Sequence, residues 1–321
     1  MIAAEGSALN RSPILISRDE VRELLDWPAV LEATRTGLIL AESQSGPSMV
    51  SAQVQYADGS LHLKAAALDA RRIISVKSNL RPARGGVSGV LLAYDLDSES
   101  LAGIIDAGLM TAMRTGAIAA VAAERLVASG PITVAALGVG PVGLQSLQAL
   151  FQLLDVREVR LWSHRAAGAT AAAAELNSKV PATPHVHVTQ AITGADIVIT
   201  ATPSGKPILT ADGLKPGVVI LAMGADTIGK RELTVQVLQR SDVVADVPDE
   251  ALRVGESAYL PEERKNSVMS LAHCLTATDY VHREHEFLVV DSVGSSYVDA
   301  AVTSVIMSRA IERGVGLEIS W

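Results

Sequence analysis

The residues that could carry chemistry sit in four places, and the glycine-rich turn Gly138-Val139-Gly140-Pro141-Val142-Gly143 is the first. An apolar run, Ile132 to Leu137, leads into it, a helical pattern of Leu144, Leu147, Leu150, Phe151 and Leu154 follows, and a second apolar run covers Val156 to Trp162. Glycines at such a handover let the chain turn tightly, let a pyrophosphate approach the backbone and let the helix pack close to the strand, while the helix N-terminus offers unpaired N–H groups to phosphate. A glycine turn alone can be structural; between a strand and a helix it reads as a dinucleotide site. The second run ends in Ser163-His164-Arg165, 20 residues past Gly143, with no carboxylate. An Asp or Glu there would hold the ribose 2′-OH of NAD, so a cation with small donors favours NADP(H), with NAD(H) the alternative and a solvated Arg165 the plain reading.

The other three places are charges in apolar surroundings. Arg114 is the only charge between Asp106 and Glu124, so it is buried or lines a cavity. Its planar fork suits a carboxylate, either a substrate's or an internal one from Asp95, Asp97 or Asp106. Asp226 follows the run Val218 to Met223 and then Gly224-Ala225, at the C-terminal end of a strand, where open α/β sheets bind ligands; an N-cap or Asx turn before Ile228-Gly229 is the alternative. Lys64 and Lys77 each interrupt a strand-like run. On a sheltered face they would bind a carboxylate or polarise a carbonyl or imine, and on an open face they would be solvated. The pairs His185/His187 and His282/His285 lack the spacing of a zinc motif, so no metal is expected.

The elements that must position these groups follow from periodicity. Ser17 to Glu20 reads as a capping box, Val21 to Leu25 as a helical face, and Val30 to Ala41 as a second helix stopped at Gly46-Pro47. Alternating runs at 50–56, 60–66, 73–78, 87–94 and 101–106 predict strands, and Ala107 to Val127 a long helix ending at Ser129-Gly130-Pro131. Beyond the first βαβ unit, helices are predicted at 166–176 and 232–239 and strands at 186–189, 196–202, 218–224, 243–247 and 287–290, before a closing helix from Tyr297 to Arg313. This alternation means an α/β fold with a doubly wound, mostly parallel Rossmann sheet. With 321 residues the chain accommodates two domains. A net charge of -8 and 3% aromatics argue against a nucleic-acid partner, Arg114 in the most apolar run argues against a membrane span, and a single cysteine fits a reducing cytoplasm. The first twelve residues lack the pattern of a secretory signal.

Taken together, Met113-Arg114-Thr115-Gly116-Ala117, Gly138-Val139-Gly140, Thr200-Ala201-Thr202-Pro203-Ser204, Gly224-Ala225-Asp226 with Gly229 to Leu233, and Asp291-Ser292-Val293-Gly294 resemble the ornithine cyclodeaminase/mu-crystallin family. The resemblance implies a Rossmann NAD(P)-binding domain (130-294) inserted into an α+β substrate-binding and dimerisation domain formed by both chain ends (1-129 with 295-321), and a homodimer. It implies that Arg114 clamps the carboxylate of a small amino or imino acid and that Asp226 exchanges a proton. Thr115, Thr202, Pro203, Met223 and Val293-Gly294 would line the nicotinamide and phosphate path. A family lysine should fall in the 64–77 region: Lys77 is the first choice, Lys64 stays in play, and an ungapped match would put Arg72 or Ile74 there. Members commonly carry Pro-Arg where this chain has Pro47-Ser48. The implied activity is NAD(P)H-dependent reduction of a cyclic imine of a 2-oxo acid; the alternatives are ornithine cyclodeamination with NAD and cofactor-regulated binding without turnover.

Overall fold

The computed structural model describes residues 12–43, 49–82, 86–277 and 285–320; Gly46, Pro47, Ser48 and His282 lie outside them. In chain order the first half runs β1 (Ile14–Ile16), α1 (Arg18–Leu24), α2 (Trp27–Ser43), β2 (Met49–Tyr56), β3 (Gly59–Leu68), β4 (Ile73–Pro82), β5 (Ser88–Asp95), β6 (Ser100–Asp106), α3 (Ala107–Leu126), β7 (Ile132–Leu137), α4 (Pro141–Leu153) and β8 (Val156–Trp162). The second half runs α5 (Ala166–Leu176), β9 (Ala182–Pro184), α6 (Val188–Ile192), β10 (Ile197–Thr200), β11 (Val219–Ala222), α7 (Val235–Gln239), β12 (Ser241–Ala245), α8 (Pro248–Val254), β13 (Met269–Ser270), α9 (Leu271–Thr276), β14 (Phe287–Asp291), α10 (Ser296–Arg313) and β15 (Leu317–Glu318). The chain forms two compact units, Met1–Arg114 with Ser296–Trp321, and Thr115–Ser295. The division by contacts falls inside α3, between Arg114 and Thr115.

The first unit is a seven-stranded sheet in the order β15-β1-β6-β5-β4-β3-β2, antiparallel from β2 to β6, with β1 parallel to β6. Strict alternation along β3 turns Ser60, His62, Lys64, Ala66 and Leu68 to the buried face. Helix α10 packs on β3 and β4 and against α2. The two helices approach so closely that a Cβ on Gly37 would lie 2.8 Å from the Val298 Cα. Ser17 caps α1 through the reciprocal bonds with Glu20 that the sequence predicts.

The second unit is an eight-stranded parallel sheet in the order β13-β12-β14-β11-β10-β7-β8-β9. Strands β7, β10, β11, β12 and β14 are buried at every residue, as a sheet with both faces covered requires. From β7 the chain steps to β8 and β9 on one side and to β10 and β11 on the other, with β14 inserted between β11 and β12; this is a doubly wound Rossmann arrangement whose switch point lies between β7 and β10.

Two local expectations are corrected. Residues 186–189 are not a strand: the pairing segment is β9, and α6 begins at Val188. Val186 is 71% exposed and His187 beside it is exposed, so this segment has no buried face. The helix expected from Glu232 starts at Val235, because Glu232 sits fully buried in the extended segment before it. Among the described residues no helix is long and apolar enough to cross a membrane.

Candidate active site

In the first unit, Lys64 of β3 and Lys77 of β4 are direct cross-strand partners and share the buried face. The Lys77 Nζ lies 2.7 Å from the Asp299 Oδ2, and the Arg114 Nε lies 2.8 Å from Oδ1 of the same carboxylate. Both cations and Asp299 are almost fully enclosed. The internal partner of Arg114 is therefore Asp299 of α10, not one of the sequence-near acids. Asp97 pairs with Arg72 at 2.7 Å and Asp106 with Arg18 at 3.3 Å, while Asp95 accepts from Ser98. Arg72 is thus an exposed residue in the turn before β4, and the pleat turns Ile74 to the opposite face from Lys77, so neither shares the face of Lys64 and Lys77.

Lys77 and Arg114 share the one carboxylate of Asp299, the Lys64 charge also acts on it, and the Arg114 Nη1 is buried with no hydrogen-bond partner. Burial, reinforced by the neighbouring Arg114 and Lys64 cations and opposed by Asp299, pushes Lys77 down to about 7. Burial works to raise Asp299, but Arg114 and Lys77 outweigh it and hold the carboxyl below its ordinary value. A buried guanidinium nitrogen without a partner beside a second cation favours an anion, and the planar fork of Arg114 suits a carboxylate. A separate cavity of about 640 Å³, between the C-terminal half of α10 and the Asp95 end of β5, takes in none of these cations.

In the second unit, the residues predicted for the cofactor gather at the C-terminal edge of the parallel sheet. Gly138 follows β7 with φ +110°, and a Cβ there would stand 2.4 Å from the Ala201 carbonyl oxygen; a Cβ on Gly143 would stand 2.0 Å from that of Gly138. Nothing lies within 4 Å of a Cβ built on Gly140, the residue that opens α4 without a capping side chain, and Pro141 occupies the first helical position. Val139 and Val142 flank this opening half-buried. Ser163, His164 and Arg165 follow β8, with His164 and Arg165 exposed. Thr202 and Pro203 follow β10, Met223 follows β11, and Val293-Gly294 follow β14. Thr115 is buried on α3, and no strand end holds it.

Asp226 lies beyond β11, half-buried, with Lys230 Nζ 2.9 Å from its Oδ1 and the Thr227 hydroxyl donating to the same oxygen at 3.2 Å. Both open readings of Asp226 keep support: it stands at the ligand edge and it also orders its own turn.

Sequence reasoning missed the acids that hold these loops. The Asp246 carboxylate accepts from the Val293 and Gly294 N–H groups at 3.0 and 2.8 Å and from the Ser292 hydroxyl at 2.7 Å. Glu232 binds Thr202 and Gly224, Glu256 binds the Glu232 and Leu233 amides, and Asp291 binds Ser257. Burial raises Glu232, takes Glu256 to about 8 with help from the Asp291 and Glu232 carboxyls, and takes Asp291 to about 7. A lone acid within an Ala/Val run, as in Val298-Asp299-Ala300, was a readable signal of the kind that marks Arg114. Among the described residues no group of His, Cys, Asp and Glu could hold a metal ion.

Known proteins share this architecture and sequence. An archaeal alanine dehydrogenase dimer with bound NAD superposes with TM-score 0.88 at 22% identity, covering 97% of this chain and 99% of that one. The Delta(1)-pyrroline-2-carboxylate reductase of Thermococcus litoralis, solved with NADH and L-proline, also gives 0.88, at 20% identity over 95% of this chain and 100% of that one. The L-lysine cyclodeaminase of Streptomyces rapamycinicus is 31% identical over 242 residues, 73% of this chain and 69% of that protein. The aligned region spans about two thirds of the length of the curated relatives it matches. Residues 12–314 match the pattern that defines the Ornithine cyclodeaminase/mu-crystallin family, and the chain belongs to that family.

Proposed function

We propose that this protein is an NAD(P)H-dependent oxidoreductase that reduces the C=N bond of an imine of a 2-oxo acid, cyclic imino acids foremost, to the amino acid. The observation that carries this reading is the buried pair Lys77 and Arg114 on the single carboxylate of Asp299, with the Arg114 Nη1 left without a hydrogen-bond partner. Arg114 and Lys77 would bind the substrate carboxylate, and Lys64 would add its charge. Fixing the carboxylate fixes the imine carbon, so that reaction needs no further search for orientation. Asp226 would supply or relay the proton to the substrate nitrogen, with Lys230 holding its carboxylate in place.

The second unit fits a dinucleotide. The open approach at Gly140 and the uncapped start of α4 would receive the pyrophosphate, and Ser163, His164 and Arg165 would receive a 2′-phosphate, which favours NADP(H). Thr202, Pro203, Met223, Val293 and Gly294 would line the path to the nicotinamide, and Thr115 joins them by family resemblance. When bound, the cofactor supplies the hydride. On this reading residues 130-294 are the cofactor domain and the two chain ends the substrate and dimerisation domain. The fully assembled enzyme is a homodimer of the cytoplasm.

Cyclodeamination is the second reading, favoured by the 31% identity to an L-lysine cyclodeaminase. Loss of reduced-nicotinamide absorbance with a panel of cyclic imino acids, run with NADPH and with NADH, separates them. NADPH-dependent turnover establishes the reductase. Silence there, with ammonia released from ornithine or lysine on adding NAD, overturns it in favour of the cyclodeaminase; cofactor binding with no turnover in either assay overturns both.

A further inference from the structure

The sheet of the second unit stops pairing just where its ligand edge begins. Strands β10 and β11 are in register from Ile197 opposite Val219 to Thr200 opposite Ala222, and the last rung beyond them is the Met223 N–H donating to the Thr200 carbonyl at 2.8 Å. Past that point the Thr202 and Gly224 amides need a partner from elsewhere. Glu232 supplies it to both. One oxygen of its fully buried carboxylate, Oε1, accepts from the Thr202 N–H at 2.7 Å and the Thr202 hydroxyl at 2.6 Å, and the other, Oε2, accepts from the Gly224 N–H at 3.1 Å.

The carboxylate is itself rigidly placed. The Glu232 N–H donates to the Glu256 Oε1 at 2.5 Å, the Leu233 N–H to the Glu256 Oε2 at 3.2 Å, and the Glu232 carbonyl accepts from the Ile208 and Leu209 amides at 2.7 and 2.9 Å. The fit leaves no slack, since a Cβ on Gly224 would stand 2.3 Å from the Glu232 Oε2. If only cohesion were needed here, apolar packing would provide it without the desolvation that a buried carboxyl incurs. What a carboxylate adds is direction: two oxygens fix the orientation of two backbone amides and one hydroxyl.

We propose that Glu232 is a positioning residue of the dinucleotide site, a staple that ties the loop after β10 to the loop after β11 and so presents Thr202 and Met223 to the cofactor in one fixed arrangement. This rests on the dinucleotide-binding reading above. Glu232 touches no reacting atom in this role; it acts through the two loops. Glu232→Ala removes all three bonds. Glu232→Gln keeps one acceptor oxygen and turns an NH2 toward one of the donors, so it loosens one loop and keeps the side-chain volume.

Two measurements on the full chain test the staple. Amide exchange of the cofactor-free protein reports it directly: Thr202 and Gly224 lose protection by about tenfold or more in Glu232→Ala, while Val198 and Ile220 within the strands keep theirs. The NADPH dissociation constant, read from nicotinamide fluorescence, rises roughly tenfold, with kcat at saturating cofactor and imine changing less than about threefold. Unchanged protection in the variant overturns the staple, and lost protection with an unchanged dissociation constant overturns its role in positioning. If Glu232→Ala fails to fold, Glu232→Gln decides by the same criteria, with an effect at one of the two amides. Wild-type protein that protects both amides yet binds neither NADPH nor NADH overturns the dinucleotide reading and this role with it.

Discussion

At the residue scale the decisive feature is a shared counterion. Asp299 holds Lys77 and Arg114 at once, and a lysine enclosed with two other cations keeps its proton only weakly, near pH 7. The consequence for binding has a definite sign. A carboxylate ligand is attracted by the protonated lysine, so its affinity is full below about pH 7 and declines as pH rises through that value and the free protein loses the proton. Asp299 stays ionised throughout this range, since its two partners hold its carboxyl low. We expect the inhibition constant of a cyclic carboxylate with no titratable nitrogen to rise roughly tenfold between about pH 7 and pH 9. In Lys77→Arg, whose guanidinium remains charged, the curve should be flat. A wild-type curve that is itself flat would remove Lys77 from the anion site.

At the scale of elements, the β7-turn-α4 segment separates glycines that the fold needs from one that only a ligand needs. Gly138 has a left-handed backbone and Gly143 lies against the Gly138 carbonyl, so substitution at either strains the fold. Gly140 has φ of -73° and open space where its side chain would be. Gly140→Ala should therefore leave the thermal midpoint within about 2 °C of wild type, and the added methyl should raise the KM for NADPH by about tenfold. An alanine variant with unaltered cofactor KM would show that the pyrophosphate does not approach there.

At the scale of the whole molecule, one face of the first unit's sheet carries exposed apolar side chains on several strands. Val50 and Val54 of β2 are more than half exposed, and Tyr56, Leu80, Val90 and Leu15 are each about 40% exposed along the same face. A continuous apolar sheet face of this kind is characteristic of a self-association surface. Light scattering coupled to gel filtration should give twice the chain mass. Val54→Glu together with Val90→Lys should shift the protein to monomer while leaving the unfolding midpoint of that monomer unperturbed, because both side chains are exposed in the single chain. A doubled mass that survives both substitutions would place the dimer contact elsewhere.

The sequence by itself determined what is local or periodic. The glycine turn announced a strand-to-helix handover, alternating runs announced the long strands of the first sheet, continuous apolar runs announced the central strands of the second, and isolated charges such as Arg114, Lys77 and Asp226 announced groups that need a partner. These signals are legible because they arise within a few residues of one another. Only the tertiary structure decided who the partners are. Asp299 reaches Arg114 across 185 positions of chain because α10 returns to the first unit, and no spacing rule encodes that return. The same holds for Glu232, which looked like the start of a helix and is instead the acceptor for two loops. The strand expected at 186–189 failed for the converse reason: a short apolar alternation without burial has no face to define, and burial is a property of the folded chain.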